Sequence, residues 1–526
     1  MKQLSTRANS GWQAWASSWL VVAIAGLASG CAASRANFRG ERLADAGQWA
    51  QAKAEFDEAL RLDPSNSAYL ANRCGVKTRA RDFAGARADC AEAVRLAPEL
   101  ASAYGQRGEL RLQLGEWSDA VLDFERALDL DPRVTYALGS AQAHAALGQR
   151  DPAKRALDRA VYMDVDGVPA RMARGLFRAE TGDFDGAQRD FSEVLRVDPA
   201  HLRARLDRAR ALAQLADWAA AEADYTAAIA QAPGNAEAWE GRGRVRAHAG
   251  AGAAAVADLD QARRLEPQRH EALAYRCLAK AKIGPPPAAM ADCDEAVKLA
   301  PTSPQVRLIR GMVLDLCGDM AAAQAEFVEV TRLLPRSALA WTDLATARRR
   351  AGDLDGALVA LDTALALDPL AADALLRRGE VRAERCQWSG ALADLTEALN
   401  HAPHSLKIQN ALAWLLATAA DDRVRDAKRA VFLAEPMVQH QPAGELVDTL
   451  AAAYAAAGRL DDAVRQQTRA VALLASAPPA LRDQAAARLK LYQARQPYRS
   501  TCQAGSAAQA APAAPPTPVT PEPAAE

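Results

Sequence analysis

Aromatic side chains are scarce in this chain of 526 residues, at 5%, and the formal charge at pH 7 is only −1. With so few rings, close contact between helices has to come from small residues, chiefly alanine. A near-neutral balance leaves no basic face or stripe of the kind a nucleic-acid partner requires. The sequence also lacks a phosphate loop, a dinucleotide fingerprint, a zinc-protease helix and a nucleophile elbow. His270-Glu271 opens like the zinc-protease motif, but the second histidine is missing, and the pair reads as a helix start. The cysteine spacing matches no zinc site. These absences predict a protein that is not an enzyme, with no cofactor, no metal and no small-molecule substrate.

What is present is repetition, and self-similarity of long period is the first signal to seek. The stretch ASAYGQRGELRLQLGEWSDAVLDFERALDLDPRV, from Ala101 to Val134, reads as two short amphipathic helices. Tyr104, Gly108 and Arg111 recur at helical spacing in the first, and Ala120, Phe124 and Ala127 in the second. Gly115 falls where the chain must reverse, and Pro132 ends the second run. The closing prolines Pro64, Pro98 and Pro132 stand 34 residues apart, and the same phase returns from Pro199 to Pro403. The alanines that open the second helices keep step from Ala52 to Ala391, as do Phe56, Phe124, Phe191, Tyr225, Phe327 and Leu395 four residues on. A fourth unit is degenerate and one residue short, with Val165 where proline is expected.

On these residues the chain resembles the tetratricopeptide (TPR) repeat family over most of its length. The resemblance implies an all-α fold, a right-handed α-solenoid of about 13 helix-turn-helix repeats with a C-terminal capping helix, in which each unit buries its apolar face against its neighbours. The expected divisions are a signal peptide over 1–30, eleven repeats over 31–403, two divergent repeats over 404–475, the capping helix over 476–499, and an Ala/Pro-rich tail over 500–526. The tail's composition buries no core and predicts disorder.

The N-terminus carries Lys2 and Arg7, then the apolar run WLVVAIAGL, then Ala28-Ser29-Gly30 before Cys31. The run is short for a membrane span and has the layout of a secretory signal. Ending on Gly-Cys, it resembles a bacterial lipoprotein signal, which implies lipid on Cys31. Ala28 departs from the leucine that such signals prefer there. The expected location is the bacterial cell envelope, on the periplasmic side, at the outer membrane before the inner.

Two internal patterns stand out. The seventh place of the repeat holds Arg39, Arg73, Arg107, Arg174, Arg208, Arg242, Arg276, Arg310 and Arg378, where the resembled family expects an apolar residue. The twenty-third place holds an acid in the same repeats, from Glu55 and Asp89 to Glu326 and Asp394, and in the two repeats without the arginine, at Ser140 and Leu344, the acid is missing too. A structural ion pair, within a repeat or to its neighbour, is the simpler reading; a surface ladder for an acidic ligand is the alternative. Cys74 and Cys90 share repeat places with Cys277 and Cys293. Each pair is either a disulfide in an oxidising compartment or two small buried hydrophobes. Cys317, Cys386 and Cys502 have no evident partners.

The resemblance implies that first helices line a concave groove, with the fifth and ninth places pointing into it. There the chain carries Met172, Leu176, Leu206, Leu278, Leu308 and Met312, interrupted by Arg210 and Arg244. The lysine and asparagine set with which such domains clamp a terminal carboxylate is absent. The expected partners are therefore other proteins, presenting an amphipathic helix or an extended apolar segment. The resemblance to bacterial TPR lipoproteins implies a scaffold for an envelope or secretion complex. The alternative is an accessory subunit recruiting a glycan-processing or secretion enzyme.

Overall fold

The computed structural model describes residues 31–501; the signal peptide expected over 1–30 and residues 502–526 of the tail lie outside the described residues. Among the described residues there are 27 helices and no strand. The chain divides into two compact units, residues 1–249 and 250–526.

In the first unit the helices run from residues 31–45 and Trp49–Leu62 to Trp218–Gln231 and Ala236–His248. In the second they run from Gly252–Leu265 and His270–Ile283 to Leu460–Leu473 and Pro479–Gln493. Within each unit, consecutive helices pair as antiparallel hairpins, and the first helices of successive hairpins also touch one another. Second helices share no comparable contact. First helices therefore form the inner layer of each stack and second helices the outer one, the α-solenoid arrangement.

Local chemistry sets these elements. Several second helices are started by aspartates whose carboxylates accept from backbone N–H groups one turn on: Asp82 from Gly85, Asp183 from Gly186, Asp217 from Ala220, and Asp353 from Gly356. Between the two helices of a hairpin the chain turns through a left-handed residue, usually glycine, as at Gly115 with φ 75°. Arg81, Ala216 and Cys386 hold that conformation without glycine's freedom.

The looser phase after Pro403 has a plain cause: helices Leu406–Thr418 and Ala427–His440 are joined through residues 419–426, a longer link than in the regular repeats. The last helix, Pro479–Gln493, is tied to the stack by a buried ion pair. Its Arg488 is buried and donates two hydrogen bonds to Asp448, at 2.9 and 2.8 Å. Ser500, assigned from sequence to the tail, is instead tied down. Its N–H donates to the Thr418 carbonyl at 2.8 Å, and the two hydroxyls lie 2.8 Å apart.

Candidate protein-binding site

Inside each hairpin the two helices meet at the eighth place of the repeat. Glycine there admits a ring from the second helix: a Cβ built on Gly108 would lie 3.0 Å from the Phe124 ring, and one on Gly175 only 2.6 Å from Phe191. In two repeats cysteines replace this glycine–ring contact. Cys74 and Cys90 are bonded at 1.96 Å, and Cys277 and Cys293 at 2.10 Å, each with Cα atoms 5.5 Å apart. All four are buried. Cys31 and Cys317 are unbonded, whereas Cys386 is disulfide-bonded, which corrects the reading of it as a cysteine without a partner. Protein isolated from cell envelopes without reductant should yield the 74–90 and 277–293 peptides linked by mass spectrometry. Four alkylatable thiols would instead return these cysteines to the packing role.

The arginines of the seventh place are spent inside the stack. Arg73, Arg107, Arg174, Arg208, Arg276 and Arg378 each grip the acid of their own second helix through Nε and Nη2, at 2.6–3.0 Å. The remaining nitrogen of several turns the other way, to an acid on the preceding second helix. Arg73 reaches Asp57 at 2.8 Å, Arg174 reaches Asp158 at 2.9 Å, and Arg378 reaches Asp362 at 2.8 Å. Where a hydroxyl stands at that place it serves instead, as Ser192 does for Arg208 at 3.2 Å. The fork of the guanidinium suits this double duty, since a point-charge ammonium has no such plane. Each arginine thus sets how one hairpin registers on the hairpin before it. Ser140, standing where an arginine is missing, donates to Glu125 at 2.7 Å.

Sequence reasoning missed two members of this ladder. One is the preceding-repeat acid just described. The other is a second base four residues after the arginine: Lys77, Arg111, Arg178, Lys280 and Arg382 reach the same acids at 2.6–2.8 Å. Both recur in the repeat's own phase, so aligning the units would have found them. Burial pushes the Asp292 carboxyl up, but hydrogen bonds from Arg276 and Lys280 outweigh it and hold the group below the ordinary carboxylate range.

The inner-face residues divide sharply. In the first unit, Leu176 is 39% exposed on helix Val168–Glu180, and Met172 beside it is half-buried. Leu206 is only 2% exposed and packs with Tyr225 and Ile229, so its assignment to the groove is corrected: it is core. Arg210 is already ion-paired with Asp207 at 2.9 Å and with Glu237, so its charge is matched within the fold. Arg244 Nη2 lies 3.4 Å from the Tyr225 hydroxyl.

In the second unit the structure brings three of the expected residues together. A cleft of about 390 Å³ opens along helices Pro304–Leu316 and Ala338–Arg350. Leu308, Met312 and Leu316 form one wall at i, i+4 and i+8. Met312 is 37% exposed and Leu308 half-buried. Leu278 is corrected in its turn: at 1% exposed it is the floor of this cleft, together with Phe327, and not a free anchor. The facing wall carries Asp343, Thr346, Ala347 and Arg350. No group of His, Cys, Asp and Glu side chains among the described residues is arranged to hold a metal, and none of the described helices is long and apolar enough to cross a membrane.

Stacked hairpins with an apolar cleft on the first-helix side define a repeat protein of the interaction class. Tetratricopeptide repeat models match residues 178–245 and, separately, 39–101, 76–135, 106–151 and 342–405. These stretches are tetratricopeptide repeats, which serve as protein–protein interaction scaffolds. No curated protein matches the sequence significantly. Among solved structures, the chain is similar to one from the APC/C hetero-tetramer Cut9–Hcn1, at 13% identity, 80% of this chain, 96% of that one and a TM-score of 0.40. Yeast Tom70 is similar at 15% identity, over 88% and 96%, with a TM-score of 0.40. A tetratricopeptide repeat protein from Parabacteroides merdae ATCC 43184 matches at 18% identity, over 48% and 99%, with a TM-score of 0.33.

Proposed function

We propose that this protein is a non-enzymatic scaffold of the bacterial cell envelope, held at a membrane by lipid on Cys31 and collecting partner proteins of an assembly or secretion complex on its first helices. The observation that carries the reading is the cleft of the second unit, where Met312 and Leu316 stand open to solvent beside Leu308. Exposed apolar surface gathered into a cleft, and adaptable methionine within it, suits capture of an apolar segment from another protein. Two buried disulfides fit an oxidising compartment, as the signal-like N-terminus does. Cys31 stands exposed and unbonded at the start of residues 31–45.

Met312→Asp should remove partner recovery from envelope extracts while the helical melting curve stays within a degree or two of wild type, because the side chain is already partly in water. Recovery unchanged by Met312→Asp would reject the cleft as the binding surface. Cys31→Ser should abolish incorporation of labelled fatty acid and release the protein from membranes; a variant that is still labelled would refute the anchor. Recovery of one hydrolase or transferase as the sole partner would turn the scaffold into an enzyme accessory.

A further inference from the structure

The cleft of the second unit holds a carboxylate that has no partner among the described residues. Asp343 stands on the wall facing Leu308, Met312 and Leu316, and among the described residues no hydrogen bond or ion pair reaches it. The charges around it are committed elsewhere. Asp315 and Arg350, which share the cleft, are paired with each other. On the next first helix, Arg377 lies 3.7 Å from Asp373 and 3.6 Å from Glu380, and Asp373 also pairs with Lys407 at 3.1 Å. Lys282 lines the far side of the cleft, on helix His270–Ile283. The ladder acids Asp89, Asp123, Asp190 and Asp394 each meet at least two bases, whereas Asp343, among the described residues, meets none.

We propose that the cleft is built for a segment of a partner protein that carries a single lysine or arginine flanked by apolar side chains, the cation pairing with Asp343 while its neighbours pack on Leu308, Met312 and Leu316. This deepens, and rests on, the reading of the inner face as the partner-binding surface. Charge complementarity selects the occupant: a purely apolar segment would bury the carboxylate uncompensated, and an acidic one would add repulsion. A matched cation turns that cost into a hydrogen-bonded ion pair in a partly desolvated site. Burial, with Asp373 adding and Arg377 opposing, pushes the Asp343 carboxyl up to about 6. The group is mostly ionised at pH 7.5 and protonated at pH 5, so the cation's attraction is present above this value and lost below it.

The test is selection of a random twelve-residue phage-displayed peptide library on the purified full chain, at pH 7.5, with Met312→Asp and Asp343→Asn beside it. Expected are peptides with one basic residue between apolar ones, bound by wild type and lost in Met312→Asp. A selected peptide made synthetically should bind Asp343→Asn about tenfold more weakly, the scale of one unscreened ion pair. Its affinity for wild type should fall between pH 7.5 and pH 5, while its affinity for Asp343→Asn stays flat. Circular dichroism of Asp343→Asn should match wild type, since the exchange keeps the shape. Enriched peptides that depend on Met312 but carry no basic preference, or bind Asp343→Asn equally well, overturn the proposal and leave the inner-face reading standing. Peptides insensitive to Met312→Asp overturn both.

Discussion

Arg488→Ala should destabilise the unit spanning residues 250–526 by about 3–5 kcal/mol, as expected when one partner of a buried ion pair is removed. Asp448, against which Arg488 is set, is itself buried and receives a third hydrogen bond from Gln467 at 2.6 Å. Without the guanidinium its charge has no counterion. The same guanidinium lies 5.2 Å from the Trp414 ring and 5.6 Å from the Tyr498 ring. Its loss therefore also frees the segment that carries Ser500 back to Thr418. Urea unfolding followed by circular dichroism measures the cost. Hydrogen exchange should show helix Pro479–Gln493 opening before its neighbours. A loss below about 1 kcal/mol would mean that the closing helix is held by apolar contact alone.

A second large effect is expected in the ladder. Asp224 is 6% exposed and depends on the two bonds from Arg208, at 2.7 and 2.6 Å. Arg208→Ala should cost about 3 kcal/mol, toward the lower end for buried pairs because the arginine is about a quarter exposed. The double exchange Arg208→Met with Asp224→Leu should cost clearly less than Arg208→Ala, since no charge is then left buried. The order of the two unfolding midpoints decides the matter. If the double variant is the less stable, the pair stabilises the fold directly and does more than register one hairpin on another.

The contrast between these two sites explains what was readable in advance. The Arg208–Asp224 pair repeats at fixed spacing, and its two members lie on the helices of one hairpin, so the pattern along the chain announces the contact. Asp448 and Arg488 are 40 residues apart, occur once, and meet only because the last helix packs across the thirteenth repeat. Nothing periodic marks them.

What the sequence by itself determined is the hairpin: its 34-residue period, the glycine and ring that face each other within it, the turns, the prolines, and the arginine with its acid. All of these depend on residues less than one repeat apart, where helical geometry converts spacing into position. What only the tertiary structure decided is the fate of a place once hairpins are stacked. Leu176, Leu278 and Met312 share the ninth place, yet Leu278 is buried while Leu176 and Met312 face solvent; Leu206 and Leu308 share the fifth, yet Leu206 alone is core. Exposure there is set by how closely the next first helix approaches and by the bulk of what that helix presents, which differs from repeat to repeat. The lone carboxylate of Asp343 follows the same rule: whether a charge has a partner depends on neighbours one and two hairpins away, and no single repeat contains that information.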